Sequence, residues 1–261
     1  MSDTIIANRV FEASIAAPGV VLVRIVSQPF GVFTIEARRQ LAAFLERAHV
    51  DHGTRCIVLT GTGPSFSAGS NIREFEVTEE WIETARRAET HLNETIERGP
   101  VPVIAACNGH TLGGGAVMAL ACDVRIAGRS ATFGLPEVRL GAMATATGTM
   151  RLPLLVGRGH ALRLMLTGQR IDAEEAYRIG IFEELVDDDQ LLPRAIEMAT
   201  QIASMSPKAV HATRRCVSTG LRLGYDAGLA MEAEITVPLG LSDDAVEGKA
   251  AFVEKRAPRF K

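Results

Sequence analysis

The chain has 261 residues, 47% of them hydrophobic and 23% charged, with a formal net charge of −3. That length buries a full core, as one domain or one domain with a small appendage, and the balance excludes a disordered chain. The charge leaves no basic footprint for nucleic acid, and no window approaches the uninterrupted apolar length of a membrane span. The N-terminus, Met1-Ser2-Asp3-Thr4, has no basic segment leading into a long apolar stretch, so no secretory signal is read and a cytoplasmic location is expected.

In chain order, the valine-rich residues 20–26 read as a strand. Residues 35–50 carry apolar side chains at 35, 41, 44, 45 and 48, the spacing of an amphipathic helix. The apolar run 56–60 reads as a buried strand, and Gly61-Thr62-Gly63-Pro64 as the turn that ends it. Next comes a strand-to-helix junction of small residues, Phe66-Ser67-Ala68-Gly69-Ser70-Asn71-Ile72. Residues 81–97 read as a more polar helix, 103–107 as a buried strand and 116–121 as a buried helix. Strands and helices alternate to about residue 190, which predicts an α/β core. Asp172 with Glu175 reads as a capping box, and Ser206-Pro207 as a helix start. Segments 190–205, 207–219, 225–237 and 243–255 all read as helix. The expected organisation is therefore an α/β core over 1–190 and a helical region over 191–261.

Cys56, Cys107, Cys122 and Cys216 are widely spaced and form no C-x-x-C pair; three sit in apolar surroundings that read as buried, and the reading is core thiols of a reducing compartment. No histidine belongs to a ligand cluster, and no metal is expected. His49 and His52, near the end of the first helix, read as surface residues.

The run Asn108-Gly109-His110-Thr111-Leu112-Gly113-Gly114-Gly115 joins a buried strand to a buried helix. Glycines at such a junction leave backbone N–H groups bare at a helix N-terminus, where the helix dipole is positive. The spot suits a phosphate, a carboxylate or a developing oxyanion; close helix–strand packing is the plainer use of small residues. Neither the Walker nor the G-x-G-x-x-G pattern fits. The Phe66–Ile72 segment is a second such junction, and two junctions can aim two N–H groups at one oxygen.

Four segments in order then carry a resemblance. Residues 66–72 are similar to F-[AS]-A-G-[AS]-[DN]-[IL]. Residues 102–127 follow P-V-I-A-A-x-N-G-x-x-x-G-G-G…C-D-x-R-I-A, and 131–137 follow A-x-F-x-x-P-E. Residues 247–256 follow E-G-x-x-A-F-x-E-K-R. Together they resemble the crotonase superfamily, the enoyl-CoA hydratase/isomerase family. The resemblance implies an α/β fold built as a spiral of ββα units, with a C-terminal helical trimerisation subdomain. It implies an acyl-CoA substrate, no cofactor beyond the CoA of that substrate, and a homotrimer or dimer of trimers.

Residue by residue, the resemblance implies that the backbone N–H groups of Ala68 and Gly114 form the oxyanion hole and that Glu137 exchanges protons with the acyl chain. It implies substrate or CoA contacts at Phe30, Ser70, Asn71, Ile72, Gly113, Val117 and Thr145. Phe252 and Lys255 match tail residues that help cover CoA, often on a neighbouring subunit; by composition they are a core aromatic and a solvated lysine. Val117 stands where hydratases of the family carry a second glutamate. Thr145 and Thr147 replace a proline and glycines, and read as helix-start caps or substrate contacts. His110 reads as structural. A single carboxylate that moves a proton between two carbons favours double-bond isomerisation of an enoyl-CoA. The alternatives are hydration, with water held by Thr145, Thr147 or His110, and a non-catalytic acyl-CoA-binding homologue. No G-x-S-x-G elbow supports a serine hydrolase.

Overall fold

Apolar runs with no polar side set the architecture. The computed structural model describes residues 4–260; Met1, Ser2 and Asp3 of the N-terminal reading lie outside the described residues. The first half holds β1 (Thr4–Ala7), β2 (Phe11–Ala17), β3 (Val20–Ile25), β4 (Val32–Phe33), α1 (Ile35–Val50), β5 (Cys56–Gly61), β6 (Ser65–Ser67), β7 (Gly69–Ser70) and α2 (Glu79–Arg98). Next come β8 (Val103–Cys107), β9 (His110–Leu112), α3 (Gly114–Ala121), β10 (Val124–Gly128), β11 (Thr132–Gly134), α4 (Gly148–Thr167), β12 (Arg170–Asp172), α5 (Ala173–Arg178) and β13 (Glu184–Val186). Four helices finish the chain: α6 (Leu191–Ala203), α7 (Pro207–Leu223), α8 (Tyr225–Gly240) and α9 (Asp243–Glu254).

Seven strands make the main sheet in the order β1-β2-β3-β5-β8-β10-β13. The first two pairings are antiparallel; from β3 to β13 every neighbour is parallel. A parallel sheet is covered on both faces, and side chains divide by parity. Val21, Val23, Ile57, Leu59, Ala105 and Cys107 join one core cluster. Val20, Leu22, Val58, Ile104 and Ala106 join the other. This two-sided burial is why these strands read as continuous apolar runs. Leu191, Ala195 and Ala199 of α6 close the second face. Helix α6 thus packs with the core although it lies beyond residue 190.

A second sheet runs β12-β11-β9-β6, and β4 pairs with β7. The chain passes from the main sheet to the second one at β5–β6, β8–β9 and β10–β11, laying one strand in each per turn. That is the spiral of ββα units, followed by the C-terminal helices.

Caps explain where the helices begin. Thr34 Oγ1 accepts from Ala37 N at 2.9 Å and opens α1 at the predicted residue. Thr78 Oγ1 accepts from Trp81 N at 3.3 Å, so α2 starts ahead of residue 81. Ser206 Oγ accepts from Ala209 N at 3.1 Å, as its position before Pro207 suggests. Only half of the predicted capping box forms at Asp172: its Oδ1 accepts from Glu175 N at 2.8 Å, but the Glu175 carboxylate pairs with Arg163 and Arg178.

His49 is the clearest misreading. The end of α1 packs on α2, and His49 is buried there, its Nε2 donating to the Thr95 carbonyl at 3.0 Å. Burial lowers its pKa to about 4. His52 is exposed as expected. Cys56, Cys107 and Cys122 are buried, and lost hydration pushes the Cys56 and Cys107 thiols up to about 12. Among the described residues no helix is long and apolar enough to cross a membrane.

Candidate active site

Strand β9 delivers the chain to Gly113, whose φ of 53° and ψ of −130° suit glycine. Helix α3 starts at Gly114 with no side-chain cap, so the Gly114 N–H has no intrahelical partner and sits at the positive end of the helix. Gly115 does different work: a Cβ there would strike the Ser67 carbonyl, so α3 can lie on β6 only as glycine. The glycine run serves packing and an open backbone at adjacent residues.

The two junctions meet. A Cβ built on Gly69, which has φ +90°, would stand 2.7 Å from Gly114 N. The Ala68 N–H expected on this side, however, is not free. The Ala68 N–H donates to the Phe30 carbonyl at 2.9 Å and is spent. Gly69 N–H donates to Ser67 Oγ at 3.1 Å, and Asn71 N–H to the Phe33 carbonyl at 2.9 Å. Ser70 lies opposite Phe33 in the parallel β4–β7 pair. Successive peptide groups of an extended strand point to opposite edges. With Asn71 N–H aimed at β4, Ser70 N–H is aimed away from it.

Glu137 follows β11 and opens a 3-10 turn, Glu137–Leu140. Its Oε2 is buried and has no hydrogen-bond partner among the described residues. Its Oε1 lies near the backbone of Gly113, 3.7 Å from where a Cβ would stand. Lost hydration raises its pKa to about 7, and the charge of Glu89 adds to the rise. Near neutral pH the group populates both its acid and its base forms.

Glu89 and Arg38 escaped the sequence reading. Glu89 projects from α2 with 15% of its side chain exposed, and a Cβ on Gly114 would collide with its Oε1. Arg38 projects from α1 with 6% exposed, its Nη2 3.5 Å from Glu89 Oε1. Arg38 Nη2 also donates to Ser70 Oγ at 2.7 Å, and Nη1 to the Phe33 carbonyl at 3.2 Å. A signal existed in both helices. Glu89 falls in register with the buried Leu92, Asn93 and Ile96, and Arg38 with the buried Leu41, Ala42 and Leu45. A charged residue on a buried stripe needs a partner or a task.

The remaining candidates scatter. Phe30 has φ +62° and an exposed ring, and its carbonyl receives Ala68 N–H. Asn71 caps the 3-10 turn Ile72–Glu74, with Oδ1 accepting from Arg73 N at 3.3 Å, and Ile72 is exposed beside it. Val117, expected to contact substrate, is 1% exposed and packs on Gly148, so it belongs to the core floor. Thr147 precedes α4 but caps nothing, its Oγ1 donating instead to the Ala146 carbonyl at 2.5 Å; the capping reading fails there. The Thr145 carbonyl accepts from Gly148 N at 3.0 Å. His110 is structural, with Nδ1 2.9 Å from Thr132 Oγ1 across the β9–β11 pair. Phe252 is no core aromatic: it is 86% exposed on α9, and Lys255 is exposed at that helix's C-cap.

Comparison with known proteins adds the family. The sequence model described as enoyl-CoA hydratase/isomerase matches residues 17–261. The 2,3-dehydroadipyl-CoA hydratase of Escherichia coli is 36% identical over 222 residues, 85% of this chain and 87% of that protein. The short-chain-enoyl-CoA hydratase of Clostridium acetobutylicum is 39% identical over 210 residues, 79% of this chain and 80% of that one. The crystal structure of an enoyl-CoA hydratase from Bacillus anthracis superposes with a TM-score of 0.93 at 37% identity, covering 97% of this chain and 99% of that one.

Proposed function

Because the chain belongs to the enoyl-CoA hydratase/isomerase family, we propose that Glu137 exchanges the proton at C2 of an enoyl-CoA while Gly114 and Ser70 hold the thioester oxygen. The observation that carries this reading is the Glu137 carboxylate. It is half-buried, its Oε2 is buried with no hydrogen-bond partner among the described residues, lost hydration raises its pKa to about 7, and it lies beside the glycine turn that opens α3. Such a group is matched to proton transfer at neutral pH. The uncapped Gly114 N–H and the outward Ser70 N–H supply preorganised donors for an enolate oxygen, each worth about 3 kcal/mol of barrier. Returning the proton at C4 moves the double bond between the 3-enoyl and 2-enoyl positions. No group is needed beyond the CoA of the substrate.

Hydration is the second reading, favoured by a particular observation: relatives at 36% and 39% identity are named hydratases. The test is a panel of CoA thioesters followed by mass and by absorbance of the conjugated product. Conversion of a 3-enoyl to a 2-enoyl thioester without mass change supports proton transfer. Gain of one water supports hydration. No turnover of any enoyl thioester contradicts the reading.

The same reading includes a homotrimer or pair of trimers held by the C-terminal helices. Val217, Leu221, Leu229, Leu241 and Phe252 expose apolar side chains there. Light scattering that finds a monomer at micromolar concentration contradicts it, and with it any contribution of Phe252 or Lys255 to a neighbour's site.

A further inference from the structure

Val117 removes the carboxylate that the family's hydratases place one turn into α3, yet a second carboxylate reaches the same turn from another helix. Glu89 crosses from α2 to lie against Gly114, while Glu137 lies against Gly113. The two acids therefore flank adjacent residues of one turn, and the Glu89 charge is felt at Glu137. They differ in partners. Glu137 keeps a buried oxygen with no partner among the described residues. Glu89 is ion-paired to Arg38, and Arg38 is itself anchored on Ser70 Oγ and the Phe33 carbonyl. Two carboxylates kept in different environments are suited to opposite halves of an acid–base reaction.

We infer that Glu89 is a second catalytic carboxylate, which takes a proton from water as that water adds to C3 of a 2-enoyl thioester. The inference rests on the assignment of Glu137 and the oxyanion hole made above. The water oxygen bonds to C3, and the C2–C3 π pair moves into the thioester enolate, whose oxygen lies on the Gly114 and Ser70 N–H groups. Protonated Glu137 gives its proton to C2 and the enolate collapses. Glu89 holds the proton taken from water, and passes it through solvent to Glu137 before the next turnover. One water is consumed and no other reactant is needed. Arg38 is a positioning residue: it fixes the Glu89 carboxylate relative to Ser70, one of the two donors of the hole. His110 and the Thr147 hydroxyl need not hold the water. The His110 ring is engaged with Thr132, and the Thr147 hydroxyl with the Ala146 carbonyl.

The test compares two rates in one protein: hydration of crotonyl-CoA and isomerisation of a 3-enoyl-CoA. In Glu89→Gln the ratio of hydration to isomerisation falls by ~100-fold, the usual contribution of a general base, and Glu89→Asp recovers part of it. A ratio within about twofold of wild type overturns the inference. So does a loss of both rates together with a lowered melting temperature, which would make Glu89 a structural residue. Wild type that isomerises without hydrating defeats the role of Glu89 and leaves that of Glu137 intact. Wild type inactive on both thioesters defeats the reading of Glu137 as well.

Discussion

Glu137 is half-buried and His49 buried, and each has a buried polar atom with no hydrogen-bond partner among the described residues. Lost hydration shifts both, Glu137 up to about 7 and His49 down to about 4. Their surroundings differ. Around Glu137 stand a bare helix N-terminus, a second carboxylate and a buried guanidinium. His49 is pressed between α1 and α2, and a Cβ on Gly99 would run into its ring. The charge of Arg214 also acts on His49, so a shifted pKa with one nearby charge can mark no more than tight packing; a perturbed ionisable group becomes a site candidate where bare donors and other charges converge on it in a cleft.

The largest expected effect separates the two in activity. Glu137→Gln should lower turnover of an enoyl-CoA by at least ~100-fold, since it removes the proposed general acid–base group while keeping its shape. His49→Gln should leave turnover within about twofold of wild type. Steady-state kinetics on both variants decide this, and an equal loss in the two would dissolve the contrast.

Stability against pH should then run in opposite directions at the two groups. His49 binds its proton less readily folded than unfolded, with a pKa of about 4 against 6.5. Its contribution is present above pH ~6.5 and is lost as pH falls toward ~4. Glu137 holds its proton more tightly folded, at about 7 against 4.5. Its contribution is complete below pH ~4.5 and is lost as pH rises through ~7. Each window spans roughly 1–3 kcal/mol. Urea midpoints across pH 4 to 8 should therefore show Glu137→Gln more stable than wild type at pH ~8, and a flatter acid limb in a His49→Phe variant.

A smaller contrast concerns two glycines. Gly99→Ala drives a methyl against the packed His49 ring and should cost roughly 1–3 kcal/mol of stability with little change in rate. Gly114→Ala meets the end of the Glu89 side chain, which can swing aside, and Arg38 Nη2 at 2.9 Å. Its effect should fall on rate, about tenfold or more, because it disturbs the proposed oxyanion hole and the carboxylate beside it. Melting temperature and turnover measured on both variants check this.

Much of the frame was legible from local pattern. The strands that became β3, β5 and β8 announce themselves through unbroken apolar runs, because both faces of a parallel sheet are covered. Helix α1 and the start of α7 follow from periodicity and from Ser206-Pro207. Glu137 stands out in the sequence through its motif and not through its spacing. The antiparallel edge was missed: β2 buries Phe11 and Ala13 and exposes Glu12, an alternation too brief to stand out. The Ala68 assignment failed because backbone hydrogen bonding decides which N–H of 66–72 is free, and that depends on Phe30, far away in sequence. Glu89 and Arg38 were passed over because charged residues on amphipathic helices usually face water; only the packing of α1 and α2 over the glycine turn turns them inward.

On the proposed reading, Glu137 moves the proton at C2 of a thioester whose oxygen is held at Gly114 and Ser70. Deuterium incorporation at C2 of butyryl-CoA in heavy water measures that step without requiring a double bond. Wild type should exchange the C2 proton at a rate that rises with pH through ~7, and Glu137→Gln should not exchange it. Exchange at the wild-type rate in Glu137→Gln would place the base elsewhere and contradict the assignment.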